Sequence, residues 1–308
     1  MKKTLCLALC GIVLMGCSDG AKSENEESMR SVEIGDTSYD VPANPERVVT
    51  DYYAGELLAV DAEVVGATTT AFDNPFLEDQ LASTENIGEP IDVERVLELD
   101  PDLIVVMYDD DLEQLREIAP TVYIPYNTAT SIEGVTELFG SLMNNEEAAA
   151  GFLEGYEQEA REARAELEDH LNGDETFGLY EVTNQQELYV FGENFGRGGQ
   201  VIYDALELPA PQSIAQDVME EEDVLQLSRE AIPDYGADVM FVTSYDPEGS
   251  HQSLDFFVDS SVWQGLDAVE NDRVVINDFD TFYPYDPISI RGQIPLFTEM
   301  IMDLNLNR

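Results

Sequence analysis

The residue most able to do specific chemistry is an arginine inside a glycine-rich segment. Arg197 lies in GRGGQV, residues 196–201, and its small neighbours predict a tight turn that leaves an exposed guanidinium with its donors free. Because the chain has 65 acidic and 14 basic residues, an exposed cation here suggests a ligand-binding role. The alternatives are a salt bridge with a nearby acid and a phosphate loop. The segment has neither the third glycine of the dinucleotide fingerprint nor a Gly-Lys-Ser/Thr sequence, which disfavours a nucleotide site.

Four aromatic residues form a second group of candidates. They fall at the ends of predicted strands or in the loops just after them, where open α/β sheets place ligands: Tyr126, Tyr189, Phe195 and Tyr283. A tyrosine offers a flat apolar wall with a hydroxyl at its rim, which suits a bulky ligand that is partly apolar and partly rich in oxygen. Core packing is the alternative for each of them.

Residues for catalysis are not apparent in the sequence. The two histidines, His170 and His251, are 81 positions apart and neither belongs to a recognisable motif. Pairs of carboxylates are so frequent in this chain that none is informative. We therefore expect no enzyme, no general base and no set of protein ligands that holds a metal directly.

The elements around these candidates follow an α/β pattern in both halves of the chain. In the first half a helix over 92–99, with Val93, Val96, Leu97 and Leu99 facing inward, precedes a turn and an apolar strand over 103–106. Further strands are predicted over 47–50, 63–67, 122–124, 176–180, 187–191, 238–243 and 273–276. The sequence thus predicts two α/β lobes, over 41–143 and 173–308.

Between the lobes, residues 144–171 predict one long helix. Apolar residues recur at steps of three and four along it, while its other faces are acidic. Asn144 or Asn145 can cap its start, and Asn172-Gly173 suits its end. Roughly 28 residues at 1.5 Å each give a rod of about 40 Å, long enough to join two bodies. We assign residues 144–172 to this inter-lobe helix; an ordinary long helix inside one domain is the alternative.

The N-terminus has the features of an export signal. Lys2 and Lys3 precede an apolar run, 5–15, that is too short to span a bilayer. The run leads into Leu14-Met15-Gly16-Cys17, which resembles a bacterial lipobox with Cys17 as the lipidated residue. The alternative is a plain signal peptide cut elsewhere. Polar residues 18–40 predict a flexible acidic tether, with the folded body starting near Val41.

Charge is the most unusual property of the composition. The formal net charge is −51, acidic residues occur in every segment, and the only lysines are Lys2, Lys3 and Lys22. Such a surface repels nucleic acid and anionic lipid. We interpret it as the halophilic surface of a protein that works in strong brine, where salt screens the repulsion among carboxylates. An acidic scaffold for cation storage is the alternative, but no repeated calcium-binding loop supports it.

Nine segments in order resemble one protein family. They are the lipobox, the tether, PERVV, ERVLELDPDLIVV, IAPTVYIPYN, ELYVFGENFGRGGQVIYDALELPAP, LSREAIPDYGADVMFV, VWQGLDAVENDRVV and YPYDPISIRGQI. The chain resembles the solute-binding lipoprotein of an ABC importer for iron(III) siderophores, a class III periplasmic binding protein, and most of all the ferric-hydroxamate binders. The resemblance implies two Rossmann-like lobes joined by one long helix, with the ligand in a shallow cleft between them.

The resemblance also implies roles for individual residues. Arg197 matches an arginine that donates to siderophore oxygens around the iron, and Tyr126 and Tyr189 match cleft tyrosines. Tyr283 falls at a usually aromatic position, and Phe195 replaces a frequent tryptophan. The two permease-docking glutamates, one on the outer face of each lobe, match Glu94 and Glu230, for which plain surface charge is the alternative.

The expected function is therefore delivery of a ferric siderophore to a permease with a cytoplasmic ATPase, by a monomer anchored outside the cell membrane through lipid on Cys17. A body without lysine favours a near-neutral ferric hydroxamate over an anionic tris-catecholate. A cobalamin, haem, or ferric-catecholate or carboxylate binder of the same architecture is the alternative.

Overall fold

Two five-stranded sheets form the framework of the protein, and short, largely apolar runs supply most of their strands. The computed structural model describes residues 28–246 and 252–306. The hairpin that precedes the sheets consists of β1 (Met29–Ile34) and β2 (Thr37–Pro42). The strands of the two sheets, in chain order, are β3 (Val48–Thr50), β4 (Val64–Ala67), β5 (Glu85–Asn86), β6 (Leu103–Val106), β7 (Thr121–Tyr123), β8 (Phe177–Val182), β9 (Leu188–Phe191), β10 (Val224–Leu227), β11 (Val239–Ser244) and β12 (Val274–Asn277).

The two sheets differ in the direction of their strands. The first has the order β5-β4-β3-β6-β7 with parallel pairs throughout, and every residue of β6 is buried, as expected for a strand covered on both faces. The second has the order β10-β9-β8-β11-β12, in which β8, β11 and β12 are parallel while β9 is antiparallel to both of its neighbours. The predicted α/β class and the predicted strands are confirmed, and the second sheet is mixed.

Helices pack on both sheets and between them. The α-helices are α1 (Ala54–Ala59), α2 (Thr69–Phe72), α3 (Val93–Glu98), α4 (Leu112–Leu115), α5 (Ile132–Met143), α6 (Glu146–Glu168), α7 (Gln212–Ile214), α8 (Gln252–Val258), α9 (Asp267–Glu270), α10 (Phe279–Phe282) and α11 (Pro287–Asp303). Two π-helical segments, Gln200–Ala205 and Ala215–Met219, and two 3₁₀ segments, Arg229–Tyr235 and Trp263–Gly265, complete the set. Within the described residues, no helix is both long and apolar enough to cross a membrane.

Helix α6 is the predicted long helix, but it is shorter than expected. The Asn145 side chain caps it by accepting the Ala148 N–H at 3.4 Å, whereas Asn144 has a φ of 56° and ends α5. Its 23 residues span roughly 34 Å. The buried residues lie on one stripe, as the apolar spacing predicts: Ala149, Tyr156, Ala160, Ala163 and Leu167.

Helix α6 contacts elements from both halves of the chain. It packs against α5 and α1, which follow strands of the first sheet, and against the segment Gln200–Ala205 and α11, which belong to the second half. The Tyr156 hydroxyl donates to Asp204 at 2.9 Å, and Arg291 of α11 pairs with Glu159. Helix α11 also packs against α1 and α5, so that it too connects the two halves.

The expected tether is wrong for residues 29–40, because they belong to the β1–β2 hairpin. Polar and apolar residues alternate in this segment, and Val32, Ile34 and Val41 are buried in the core of the first half. The Tyr39 hydroxyl donates to the Tyr123 carbonyl at 3.0 Å, which holds the hairpin to β7. Residues 1–27, which include Cys17 and the rest of the predicted tether, lie outside the described residues.

The predicted inner face of α3 is wrong at one position. Val96 is fully buried, but Leu97 is 62% exposed. Helix α3 has only six residues and lies at the surface, and Val96 is the one residue of the helix that is buried. The spacing of the apolar residues predicted that Leu97 faces inward. In a helix this short, however, spacing does not determine which of two adjacent apolar residues, Val96 or Leu97, faces the core.

Candidate functional site

A cleft lined by residues from both halves of the chain contains two cavities. The larger, of about 210 Å³, lies between the loops that follow β3 and β4 and the segment 279–286. The smaller, of about 50 Å³, is lined largely by the segment after β7 and the start of α5. Tyr52, Glu56 and Tyr285 line both cavities. The carboxyl ends of parallel strands supply most of these walls, which is the ligand position expected of open α/β sheets.

Arg197 lies beside this cleft, in a turn of three consecutive residues with positive φ. Gly196, Arg197 and Gly198 have φ values of 72°, 57° and 88°. The Arg197 guanidinium lies 4.7 Å from the centre of the Tyr283 ring and 4.4 Å from that of Phe191. Since Tyr283 also lines the larger cavity, Arg197 lies directly behind one wall of the cleft.

The expectation that Arg197 is exposed with free donors is wrong. Its Nε and Nη2 contact Oε2 of Glu181 at 2.8 and 2.7 Å, and its Nη1 donates to the Phe195 carbonyl at 2.7 Å. The side chains of Arg197 and Glu181 are only 13% and 7% exposed. The salt-bridge alternative therefore describes this structure, and three of five guanidinium N–H donors are used in these contacts.

The predicted aromatic residues come together only in part. Tyr126 and Phe195 have ring centres 6.0 Å apart, and Tyr283 stacks on Phe279 at 4.7 Å. Tyr189 instead packs at the edge of the hydrophobic core beside the second sheet, where its hydroxyl donates to Glu187 at 3.2 Å. It lines neither cavity; it lies opposite Glu181, the partner of Arg197, on the neighbouring strand, and its ring centre is 6.5 Å from that of Phe191.

Sequence reasoning missed several aromatic residues that line the cleft or contact its lining. Tyr285 contacts the Tyr126 ring edge-on at 6.5 Å and receives a hydrogen bond of 3.0 Å from the Tyr52 hydroxyl, which joins the two halves of the chain. The missed residues each follow a strand or sit in the YPYDP segment: Tyr52 after β3, Tyr108 after β6, Tyr245 after β11, Phe279 after β12, and Tyr285. Open α/β sheets place ligands at the carboxyl ends of their strands, and applying this strand-end rule to every strand would have identified Tyr52, Tyr108, Tyr245 and Phe279.

Five carboxyl groups line the larger cavity, and its lining includes no Lys, Arg or His: the acids are Asp51, Glu56, Asp73, Asp280 and Asp286. Burial raises the pKa of Glu56 well above its usual value, and the nearby Asp286 raises it further. Burial likewise raises the pKa of Asp286, although Ser289 and Asn74 donate to its carboxylate. The cleft is thus acidic as well as aromatic.

Asp51 holds the loop that carries Tyr108. Its carboxylate accepts the N–H groups of Met107 and Tyr108 at 2.8 and 3.1 Å. Burial nevertheless raises its pKa from 3.8 to about 6. Because the folded pKa is the higher one, the folded state favours the protonated acid, and a destabilising contribution develops as the pH rises from about 4 to about 6.

We expect this contribution to be measurable as a pH-dependent stability difference. Lowering the pH from 7 to 5 should stabilise the wild-type protein by about 1 kcal/mol more than it stabilises Asp51→Asn, whose side chain does not titrate. Chemical denaturation of both proteins at the two pH values gives this difference, and the variant corrects for the other acidic groups. Equal changes in the two proteins would contradict the assignment.

The two predicted docking glutamates lie at equivalent places on separate helices. Glu94 is exposed in the first turn of α3, where Asp92 caps the helix. Glu230 is exposed in the first turn of the 3₁₀ segment Arg229–Tyr235. Among the residues the structure describes, no group of three His, Cys, Asp or Glu side chains is placed to hold a metal ion. His170 contacts the Leu304 carbonyl at 3.0 Å, and His251 lies outside the described residues.

Comparison with known proteins places this arrangement in a family. The model of the periplasmic binding protein family matches residues 48–281. The chain is 46% identical to the iron(3+)-hydroxamate-binding protein YxeB of Bacillus subtilis, over 96% of this chain and 92% of YxeB.

Two solved structures are similar over most of the chain. One is a FhuD fold-family component of a Fep/Fec-like ferrichrome ABC transporter from Bacillus subtilis, with 32% identity, a TM-score of 0.80, and coverage of 89% of this chain and 100% of that one. The other is FhuD2 of Staphylococcus aureus with bound ferrioxamine B, with 25% identity, a TM-score of 0.73, and coverage of 84% and 98%. The chain therefore belongs to the periplasmic binding protein family of ABC transporters, whose members bind substrates outside the cytoplasm and are not enzymes.

Proposed function

We propose that this protein binds a ferric siderophore, of the hydroxamate type, and delivers it to the permease of an ABC importer. The observation that carries the proposal is Arg197, held between aromatic rings at the wall of a cleft lined by both halves of the chain. The named relatives that bind iron(3+)-hydroxamate or ferrioxamine B support the same ligand class. Titration with a ferric hydroxamate tests it: saturable binding supports the proposal, and no binding overturns it.

The chemistry of the cleft suits a ligand that brings its own iron ligands. In an intact ferric siderophore the hydroxamate oxygens fill the coordination sites of the iron. The protein therefore only has to recognise a rigid, oxygen-covered surface. We assign donation to those oxygens to Arg197 and the apolar walls to Phe195, Tyr126 and Tyr283. We keep Tyr189 as a supporting residue, which acts through Phe191 on the Arg197 side chain.

The acidic cleft favours hydroxamates over the alternative anionic ligands. Ferric tris-catecholates and carboxylate siderophores carry negative charge, whereas the lining of the larger cavity has no basic residue to pair with that charge and includes the exposed carboxylates of Asp73 and Asp280. Like charges at short range repel. A ferric hydroxamate with a neutral or positive charge avoids this repulsion.

We further propose that the chain divides into lobes over 41–143 and 173–308, joined by the helix within 144–172, and that it works as a monomer. The contacts of α6 with both halves support this division. The hairpin β1–β2 extends the first lobe to Met29. A molar mass near that of one 34.3 kDa chain, measured by light scattering with and without ligand, would support the monomer, and a dimer would contradict it.

Docking on the permease is assigned to Glu94 and Glu230. Reversing both charges, Glu94→Arg with Glu230→Arg, should reduce siderophore uptake by cells at least fivefold and leave the dissociation constant of the purified protein within twofold. Glu113→Arg with Glu270→Arg is the matched control, because these residues are also exposed glutamates in first turns of helices. Equal uptake by the two double variants would remove Glu94 and Glu230 from the docking surface.

Anchoring and salt adaptation complete the proposal. We assign membrane attachment to lipid on Cys17, at the end of a signal peptide over 1–17; mass spectrometry of the mature N-terminus tests this, and a peptide without lipid contradicts it.

We interpret the net charge of −51 as an adaptation of the protein surface to strong brine. Raising the salt from 0.1 to 1 M shortens the screening length from about 10 to about 3 Å, so the unfolding temperature should rise. An unfolding temperature that is independent of salt would contradict the assignment.

A further inference from the structure

The larger cavity combines carboxylates with aromatic rings in a way that points to a positively charged group. Its walls contain four aromatic residues, and two of them, Phe279 and Tyr283, stack on each other at 4.7 Å. The negative face of an aromatic ring attracts an ammonium group, and nearby carboxylates strengthen this attraction. Arg197 lies 4.7 Å from the centre of the Tyr283 ring in this wall, but it is already paired with Glu181.

Two acids of this cavity, Asp51 and Glu56, differ from the acids of the surface. A dense surface of carboxylates in brine depends on hydration, whereas Asp51 and Glu56 are only 9% and 8% exposed. Moreover, Oε2 of Glu56 has no hydrogen-bond partner among the described residues, although it is buried. A buried acceptor without a donor costs free energy that an incoming N–H group can recover.

The arrangement suits an organic cation better than a metal ion. The acids are distributed over opposite walls, with Asp51 and Asp73 on the side of the first sheet and Asp280 on the other. Within the described part of the chain no three of them converge as metal ligands. An alkylammonium group carries its charge on a flexible apolar chain, which matches a wall of rings with carboxylates spread around it.

Asp73 and Asp280 also place like charges on opposite sides of the cleft. Both residues line the larger cavity; burial raises the pKa of Asp280, and the charges of Asp278 and Asp73 raise it further. Their repulsion opposes closer approach of the two walls. A cation between them would remove this repulsion and hold the walls together.

We propose that this cavity receives a pendant ammonium group of a ferric hydroxamate whose iron end lies against Arg197, so that the protein selects cationic over neutral ferric hydroxamates. This inference rests on the proposed function and specifies its substrate class. Asp73 and Asp280 would contact the ammonium group near the mouth of the cavity, and Asp51 and Glu56 would face its deeper part.

Two ligands with the same iron centre test the inference. Ferrioxamine B carries a terminal primary ammonium group, and its N-acetylated form has the same hydroxamates without that charge. We expect the wild-type protein to bind the cationic form at least tenfold more tightly, measured by isothermal titration calorimetry at one fixed salt concentration. Equal affinity for both forms would overturn this inference and leave the proposed function standing, whereas binding of neither form would overturn both.

Two double variants test whether the preference for the cationic ligand arises in the larger cavity. In Asp73→Asn with Asp280→Asn, two exposed positions where an amide keeps the shape, the ratio of the two dissociation constants should fall below threefold. The control, Asp40→Asn with Asp259→Asn, removes the same charge at exposed positions outside both cavities and should keep the wild-type ratio. If the ratio falls equally in both double variants, the preference comes from the overall charge, and the cavity assignment is wrong.

Discussion

Arg197→Ala is expected to weaken binding of a ferric hydroxamate more than tenfold, which corresponds to about 1.4 kcal/mol or more. The same change removes the partner of Glu181, a residue that is only 5% exposed. An unpaired buried carboxylate is costly, so the free energy of unfolding should fall by about 3–5 kcal/mol. Ligand titration and urea denaturation of the same protein preparation measure the two effects.

A second variant separates the effect on binding from the effect on folding. Arg197→Met with Glu181→Gln removes both charges together and keeps most of the side-chain volume, so the loss of stability should be smaller than in Arg197→Ala. Its loss of affinity should be as large, because the donor to the ligand is still missing. Affinity within twofold of wild type in this double variant would remove Arg197 from the ligand site.

Gly198→Ala should have the second largest effect, through the backbone that positions Arg197. Gly198 has a φ of 88°, and an added Cβ would lie 2.2 Å from ring carbons of Phe297. Phe297 is fully buried and packs edge-on against Phe241 at 4.9 Å, so it has little room to move. Strain at positive φ and overpacking together should lower the free energy of unfolding by about 3 kcal/mol and shift the Arg197 turn.

Gly173→Ala is the matched control for this change. Gly173 has nearly the same φ, 86°, but no atom lies within 4 Å of its added Cβ. It should therefore lose only about 1 kcal/mol and bind the ligand with wild-type affinity. If the two alanine variants have equal stability and equal affinity, the contact with Phe297 does not hold the Arg197 turn in place.

Much of the framework follows from local patterns in the sequence. The buried strand β6 is a run of Leu, Ile and Val, and α6 shows a continuous apolar stripe with a capping Asn145. Both depend on neighbours within a few residues, which a sequence displays directly. The hairpin β1–β2 was missed because its acidic composition resembles a tether, although Val32, Ile34 and Val41 alternate with polar residues as a half-buried strand requires.

The site was harder to predict because its contacts join distant segments. Arg197 meets Glu181 across 16 residues, and Tyr52 meets Tyr285 across 233. The chain has 65 acidic residues, and composition alone does not identify Glu181 as the partner of Arg197. A usable signal was present, however: Glu181 is the one charged residue in the otherwise apolar strand β8, and a buried charge requires a partner. The aromatic residues after β3, β6, β11 and β12 were likewise readable from the strand-end rule.

The most direct test of the ferric hydroxamate assignment is a titration followed by the intrinsic fluorescence of Trp263 and the cleft tyrosines. Ferrioxamine B, a ferric catecholate and cobalamin would each be added to the protein in molar salt. The assignment predicts saturable quenching by the hydroxamate at submicromolar concentration, and little response to the other two. Quenching by the catecholate or by cobalamin without a response to the hydroxamate would contradict it.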